Sequence, residues 1–265
     1  MTALTTARRS SAHGHRRWWL LGGAVAVVAF AIWAWVRISH LHTATAATNP
    51  IIRWEYVFSR PQTKGELWQR TVEHLELTVE PMAIGFVLAC LLSAVAIRFR
   101  WTLTPITVFA GFLYTIPSLA LFGVMVTYAS NWTSALTALT SYTLLILVRN
   151  IVAGIDDVPK AATDAADGLG MSRWERLRKV EIPLALPVIL TGVRVATVTT
   201  VGLVSITFVI QLGGLGGVIF DGYLNSYSTK MVLGAGLSVL LAVLLDLALR
   251  LVERLLTPWA RRAAR

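Results

Sequence analysis

Charged residues are scarce in this sequence of 265 residues. They make up 14% of the chain, against about a quarter in soluble domains, whereas 55% of the residues are hydrophobic. The single cysteine, Cys90, excludes an intrachain disulfide and any cysteine-based metal motif. No Gly-x-x-x-x-Gly-Lys-Ser/Thr phosphate loop occurs, and no nucleophile, base and orienting group stand at motif spacing. The sequence therefore predicts a lipid-embedded protein that is not itself an enzyme.

Long apolar blocks replace the amphipathic stripes that a soluble core would need. A bilayer core requires about 20 apolar residues in helical form. Six such stretches are present, so we expect an all-α integral membrane protein with about six transmembrane helices. The predicted spans are residues 18–36, 76–97, 104–126, 131–150, 184–210 and 231–255. A polar cluster at 128–131 predicts a helical hairpin between the third and fourth spans.

The basic residues lie beside the spans rather than on one face. With six spans and a cytoplasmic N-terminus, 17 of the 24 Lys and Arg residues fall inside and six outside, and Arg194 falls within a span. Cytoplasmic loops of membrane proteins carry this excess. We therefore expect both termini in the cytoplasm, the lipid bilayer as the environment, and no nucleic-acid partner, despite the net charge of +10.

The N-terminal region allows two interpretations. Arg16 and Arg17, an apolar run, and then Ala44, Thr45 and Ala46 resemble a cleavable signal peptide. The run at 18–36 is longer than the apolar region of such signals, about 7–15 residues, which favours a retained transmembrane helix. The expected organisation is a basic tail (1–17), an extra helix (18–36), an extracytoplasmic segment (37–72), a transport domain (73–258) and a second basic tail (259–265).

Pro and Gly residues in the segment 37–72 predict a loop or a short surface helix, because Pro61 and Gly65 would break any longer helix. The histidine pairs His13 with His15 and His40 with His42 have a spacing that metal sites use, but they have no partner ligands. We expect no metal site.

The longest inside segment, residues 156–183, predicts two short helices. Asp156, Asp157 and Pro159 are typical of a helix start, and a run of alanines follows before Gly168 and Gly170 end the helix. Ser172 with Glu175 forms a capping-box pattern for the second helix, which Pro183 should stop. The alanines make one surface small enough for a partner to approach closely. From the residues alone, a docking element and a solvated loop fit equally well.

The same segment resembles the EAA loop of binding-protein-dependent ABC importer permeases. The resemblance rests on four features that keep their spacing, with Asp164 in place of the usual Glu and Ile182 in place of the usual Leu. The residues that make up these features are Asp164, Ala165, Ala166, Gly170, Val180, Ile182 and Pro183. It implies a five-helix type I permease core with a cytoplasmic coupling helix that sits in a cleft of the ATPase. ATP and Mg would bind that partner ATPase, and this chain would hold no cofactor.

Further segments resemble the osmoprotectant branch of this family, which carries glycine betaine, carnitine, choline or proline. They are residues 115–120, 147–155, 180–194 and 208–220. Gln211 and Leu212 depart from the glycines usual before the last turn, which leaves the exact solute open. The resemblance implies a bacterial plasma membrane location, a second permease chain that is identical or paralogous, and an extracytoplasmic substrate-binding protein.

Three further groups of residues are candidates for function. Thr115, Pro117 and Ser118 lie midway along the third span, where they would line a translocation path or form a packed helix kink. Gly213, Gly214 and Gly216 form a glycine-rich outer turn that we interpret as an external gate. Arg194 and Asp246 lie at matched depths in the fifth and sixth spans, so we expect a structural ion pair, because an unpaired charge there is costly.

Two alternative functions deserve comparison with an osmoprotectant importer. The first is a methionine-type amino-acid importer permease, which shares the EAA loop and a similar core. The second is a channel or secondary transporter, which would need a filter or coupling charges within its own spans. The conspicuous feature of this sequence is instead a cytoplasmic docking loop, which favours the importer.

Overall fold

The computed structural model describes residues 61–259, and these fold into helices without any β-strand. The bounds of the α-helices are α1 Pro61–Arg98, α2 Leu103–Thr115, α3 Ser118–Met125, α4 Asn131–Asp156, α5 Lys160–Gly168, α6 Arg173–Arg176, α7 Ile182–Val204, α8 Gly214–Leu224 and α9 Ser228–Leu256. Short 3-10 helices occupy Arg100–Thr102 and Thr207–Ile210, and a π-helix occupies Leu177–Glu181. The all-α fold class is confirmed for the described residues.

Helix α4 is the centre of the packing. It contacts α1, α2, α3 and α7, and 56% of its most apolar stretch is buried, against 6% for α9. One apolar core lies around Leu77, Phe122 and Leu139, and a second lies around Leu147 and Val148. Because α9 leaves most of its apolar side chains exposed, it stands at the edge of this unit. An apolar surface of that kind is compatible with lipid.

Four helices of the described part are long and apolar enough to cross a membrane: α1, α4, α7 and α9. They contain the predicted spans 76–97, 131–150 and 231–255 and most of 184–210. The pair formed by α2 and α3 would make a fifth crossing, but it is bent by 91°. The predicted first span, 18–36, lies outside the described residues, as do both histidine pairs and the two basic tails except residue 259.

The structure corrects three of the predicted boundaries. Helix α1 begins at Pro61 and passes through Gly65, so these residues do not break it; proline is favourable in the first turn of a helix because its missing N–H has no intrahelical partner there. The third span is not continuous, because it breaks between Thr115 and Ser118. The fifth span ends at Val204, and a separate 3-10 helix follows it.

Candidate functional site

The loop between α4 and α7 presents a face of small side chains. In α5, Ala161, Asp164 and Ala165 are exposed, whereas Ala166 is buried against the rest of the chain. The start of α5 differs from the prediction. Pro159 is the N-cap and no side chain caps it, while Asp156 is the last residue of α4, so the acidic pair does not cap the loop helix.

Gly170 ends this helix through its backbone conformation. Its φ is +75°, and the N–H of the following Met171 donates to the carbonyl of Ala166 at 3.2 Å. A Cβ atom at Gly170 would meet nothing within 4 Å, so space does not require glycine here. Glycine is required here by the left-handed backbone conformation, which is costly for most residues that carry a Cβ atom.

An arginine fixes the fold of the loop. The guanidinium of Arg176 donates to Asp167 at 2.6 Å and 2.7 Å and to Glu181 at 2.7 Å, which ties the end of α5 to the π-helix. The predicted capping box is confirmed: the side chain of Ser172 accepts from the N–H of Glu175, whose carboxylate accepts in return from the N–H of Ser172. The loop is therefore held by its own polar contacts, and the exposed face of α5 takes no part in them.

Pro183 does not stop the second loop helix, contrary to the prediction. Residues Arg173–Val204 form one continuous helical run in which Val180 belongs to the π-helix and Pro183 to the first turn of α7. The N–H of Ile182 donates to the carbonyl of Leu177, one residue further back than in an α-helix. This shift lets the chain pass a residue that has no N–H to donate. Ile182 is exposed beside the loop.

The break between α2 and α3 lies at Thr115, Pro117 and Ser118. Ile116 has an extended ψ of 128°, as a residue before proline prefers. Its carbonyl, which no helix satisfies, accepts a hydrogen bond from the hydroxyl of Tyr142 in α4. Thr115 and Pro117 are exposed and Ser118 is half-buried. The segment thus offers polar atoms and irregular backbone in the middle of a bent span.

The glycine-rich turn is held by α1. The N–H of Gly213 donates to Oε1 of Glu73 at 2.8 Å, and the N–H of Leu215 donates to Nδ1 of His74 at 3.1 Å. His74 is fully buried, and its Nε2 lies 3.1 Å from the carbonyl of Val201. Since a backbone N–H can only donate, Nδ1 is the acceptor and Nε2 carries the proton. These contacts satisfy N–H groups that a helix N-terminus leaves free.

Glycine is required at two positions of this turn, for a different structural reason at each. Gly214 has a φ of +48°, and a Cβ on Gly216 would stand 2.1 Å from the carbonyl oxygen of Ser205. The turn therefore packs α8 tightly against the end of α7. Gln211, just before this turn, adopts a left-handed conformation with a φ of 62°.

Arg194 and Asp246 contact each other between α7 and α9. The Nε and Nη2 of Arg194 lie 2.8 Å and 3.2 Å from the two carboxylate oxygens of Asp246. Glu253 also accepts from Arg194, at 3.2 Å, and Arg250 donates to Asp246 at 3.1 Å. The charges in these spans form a group of four rather than a single pair.

Sequence reasoning missed Glu73, His74, Tyr142 and Arg176. An acid and a histidine at the start of an apolar span are a visible signal, because such residues need partners in lipid. The tyrosine and the arginine carry no comparable local signal, since their partners come from other parts of the chain.

Comparison with known proteins agrees with this geometry. Residues 82–258 match the family model described as binding-protein-dependent transport system inner membrane component. The osmoprotectant import permease protein OsmW of Salmonella typhimurium is 38% identical over 200 residues, which cover 73% of this chain and 93% of the relative. The glycine betaine/carnitine/choline transport system permease protein OpuCB of Bacillus subtilis is 34% identical and 90% covered.

Solved structures share the fold. A chain from the inward-facing MetNI methionine ABC transporter superposes with a TM-score of 0.67 at 21% identity, covering 75% of this chain and 99% of the other. A chain from an amino acid ABC transporter structure with histidines superposes with a TM-score of 0.64 at 18% identity, covering 73% and 95% of the two chains. The family match spans α4, α7 and the loop between them. This chain is a multi-pass membrane protein that belongs to the family of inner membrane components of binding-protein-dependent transport systems.

Proposed function

We propose that this chain is the permease subunit of an ATP-driven importer for osmoprotectants such as glycine betaine, carnitine, choline or proline. The similarity to the osmoprotectant permease OsmW, over 93% of its length, is the observation that supports this solute class best. The match to the methionine transporter rests on 21% identity and shares the fold alone, so it does not favour methionine as the solute.

The loop between α4 and α7 is the contact for the ATPase. Its exposed face is small around Ala161 and Ala165, and Asp164 adds one negative charge. Gly170 ends the helix so that this face stays free, while Val180, Ile182 and Pro183 join the loop rigidly to α7. A movement of the ATPase would therefore pass directly into a span. ATP and Mg bind the ATPase subunit, and this chain carries out no hydrolysis.

Transport proceeds by alternating access between two permease chains, identical or paralogous. The exposed Thr115 and Pro117, together with Ser118, line the solute path at the bend between α2 and α3. The turn at Gly213, Gly214 and Gly216 is the outer gate. Arg194 and Asp246 form a structural pair that joins α7 to α9, because both side chains are mostly buried and fully engaged by opposite charges.

Both chain termini lie in the cytoplasm in this arrangement, on the same side as the ATPase-contacting loop. The turn before α8 then lies on the outer side, where an extracytoplasmic binding protein delivers the solute. The excess of basic residues in the inside segments supports this orientation.

Uptake in cells tests the solute class. Radiolabelled glycine betaine, carnitine, choline, proline and methionine are offered to cells that lack this chain and to cells that carry it again. We expect uptake of at least one betaine-type solute to depend on the chain. Dependence of methionine uptake alone would overturn the proposal and identify an amino-acid importer.

The loop is tested by Ala165→Trp, which enlarges the exposed small face without touching a buried residue. We expect loss of uptake with the chain still present in the membrane. Ala129→Trp makes the same change in an exposed turn at the other end of α4 and should transport normally. If the Ala165→Trp variant also transports normally, the face of α5 is excluded as the ATPase contact.

A further inference from the structure

An apolar groove of about 480 Å³ lies where the ends of α1, α4 and α7 meet beneath the loop. One wall is formed by Cys90, Ala94 and Ile97 of α1, and the opposite wall includes Ile151 of α4 and Leu177 of the π-helix. Nearly all of its lining is apolar. None of the residues assigned to transport above, apart from Ile182 at its edge, lines the groove.

A second cavity, of about 370 Å³, adjoins this groove and is polar. The two cavities share Arg98 and Arg173, which therefore stand at the boundary between the apolar and the polar space. Both acids that line the polar cavity are already paired with an arginine. Asp156 accepts two hydrogen bonds from Arg100, at 2.9 Å and 2.5 Å, and Glu181 accepts from Arg176.

Arg98 and Arg173 have no carboxylate partner among residues 65–259. The guanidinium of Arg98 lies 4.9 Å from the ring centroid of Phe99, a contact that leaves its charge unneutralised. Both arginines are exposed. The two cavities together therefore present an apolar slot that leads to two free positive charges.

We propose that this bipartite site binds one anionic phospholipid, with an acyl chain in the apolar groove and the phosphate between Arg98 and Arg173. The apolar side chains of Val87 and Leu91, which neighbour the Cys90 wall on α1, are exposed, so an acyl chain can enter from the bilayer. Basic pockets between transmembrane helices on the cytoplasmic side have the chemistry that recognises acidic head groups. The proposal rests on the cytoplasmic placement of the loop given above.

Native mass spectrometry of the full chain in detergent measures the head-group preference. Phosphatidylglycerol and phosphatidylcholine with the same acyl chains are compared at equal concentration. We expect one phosphatidylglycerol per chain, bound at least fivefold more tightly than phosphatidylcholine. One basic residue near an anionic lipid contributes about fivefold in affinity, so the double variant Arg98→Gln with Arg173→Gln should lose roughly 25-fold.

Arg178→Gln is the matched control, because Arg178 is an exposed arginine of the π-helix that follows α6, and it lines neither cavity. It should bind phosphatidylglycerol like the unchanged chain. Equal binding of both lipids, or an equal loss in the double variant and in the control, would overturn the proposal. Uptake by the same variants reports separately on the proposed transport function, which does not depend on this outcome.

Cys90 allows the occupant of the groove to be probed without a substitution, because it is the only cysteine of the chain and lies in the groove wall. An apolar maleimide should label it more slowly in phosphatidylglycerol nanodiscs than in phosphatidylcholine nanodiscs. Ala94→Phe fills the groove and should abolish this difference, whereas Leu88→Phe, at an exposed position of the same helix that does not line the groove, should keep it. Equal protection in both lipids would show that another part of the protein fills the groove and would overturn the proposal.

Discussion

Two adjacent glycines of α8 separate the effect of close packing from that of helix propensity. A Cβ on Gly216 would stand 2.1 Å from the carbonyl oxygen of Ser205, so the backbone of α8 or of the segment after α7 must move. A Cβ on Gly217 would meet nothing within 4 Å. Replacement by Ala adds about 1 kcal/mol of helix propensity at either position. Overpacking costs about 1–3 kcal/mol and applies to Gly216→Ala alone.

The difference between the two variants therefore isolates the clash, because the propensity gain is common to both and cancels. We expect Gly216→Ala to unfold at a free energy about 1–3 kcal/mol below that of Gly217→Ala. For a domain of this size the Tm difference is roughly 2–12 °C. Scanning fluorimetry of the purified chains in one detergent measures it. Equal Tm values, or a lower Tm for Gly217→Ala, would refute the tight contact between α8 and the end of α7.

Three further tests by substitution concern contacts between helices. Glu73→Ala removes the acceptor for the N–H of Gly213 and should lower the free energy of unfolding, measured by chemical denaturation, by about 1–3 kcal/mol. The control Glu76→Ala, on the exposed face of the same helix, should change that free energy by less than about 0.5 kcal/mol. Arg194→Met should lower the free energy of unfolding by about 1–3 kcal/mol, and Asp246→Asn should lower it less in the Arg194→Met background than alone. Additive losses in this double-mutant cycle would contradict the ion pair. Tyr142→Phe deletes one hydroxyl and should cost about 1–2 kcal/mol, and an unchanged Tm would exclude its bond to the backbone at the bend.

The transmembrane helices were predictable from sequence because their signal is local. A run of about 20 apolar residues specifies a span whatever surrounds it, and α1, α4, α7 and α9 follow the predicted runs. The capping box at Ser172 and the left-handed glycine at 170 were predictable for the same reason, since each depends on a few neighbouring residues.

The predictions from sequence are wrong where the backbone conformation depends on a partner distant in sequence or on the helix as a whole. Pro61 was interpreted as a break, yet proline fits the first turn of a helix whose apolar part lies further on. Pro183 was interpreted as a stop, yet one π-type hydrogen bond carries the chain past it. The bend at Pro117 was visible only as a kink, because its size depends on a hydroxyl that α4 supplies to the freed carbonyl.

At two irregular segments of this protein, side chains from other helices bind the backbone. In lipid, a backbone group without a partner costs several kcal/mol, so a helix can break only where the rest of the chain provides a donor or an acceptor. The hydroxyl of Tyr142 donates to the carbonyl freed at the break before α3. Glu73 and His74 accept from backbone N–H groups of the turn before α8. Each partner thus fixes one conformation of a segment that the local sequence leaves free. A bend and a turn held by these hydrogen bonds can also rearrange when the bonds change, which is what the proposed solute path and outer gate would require.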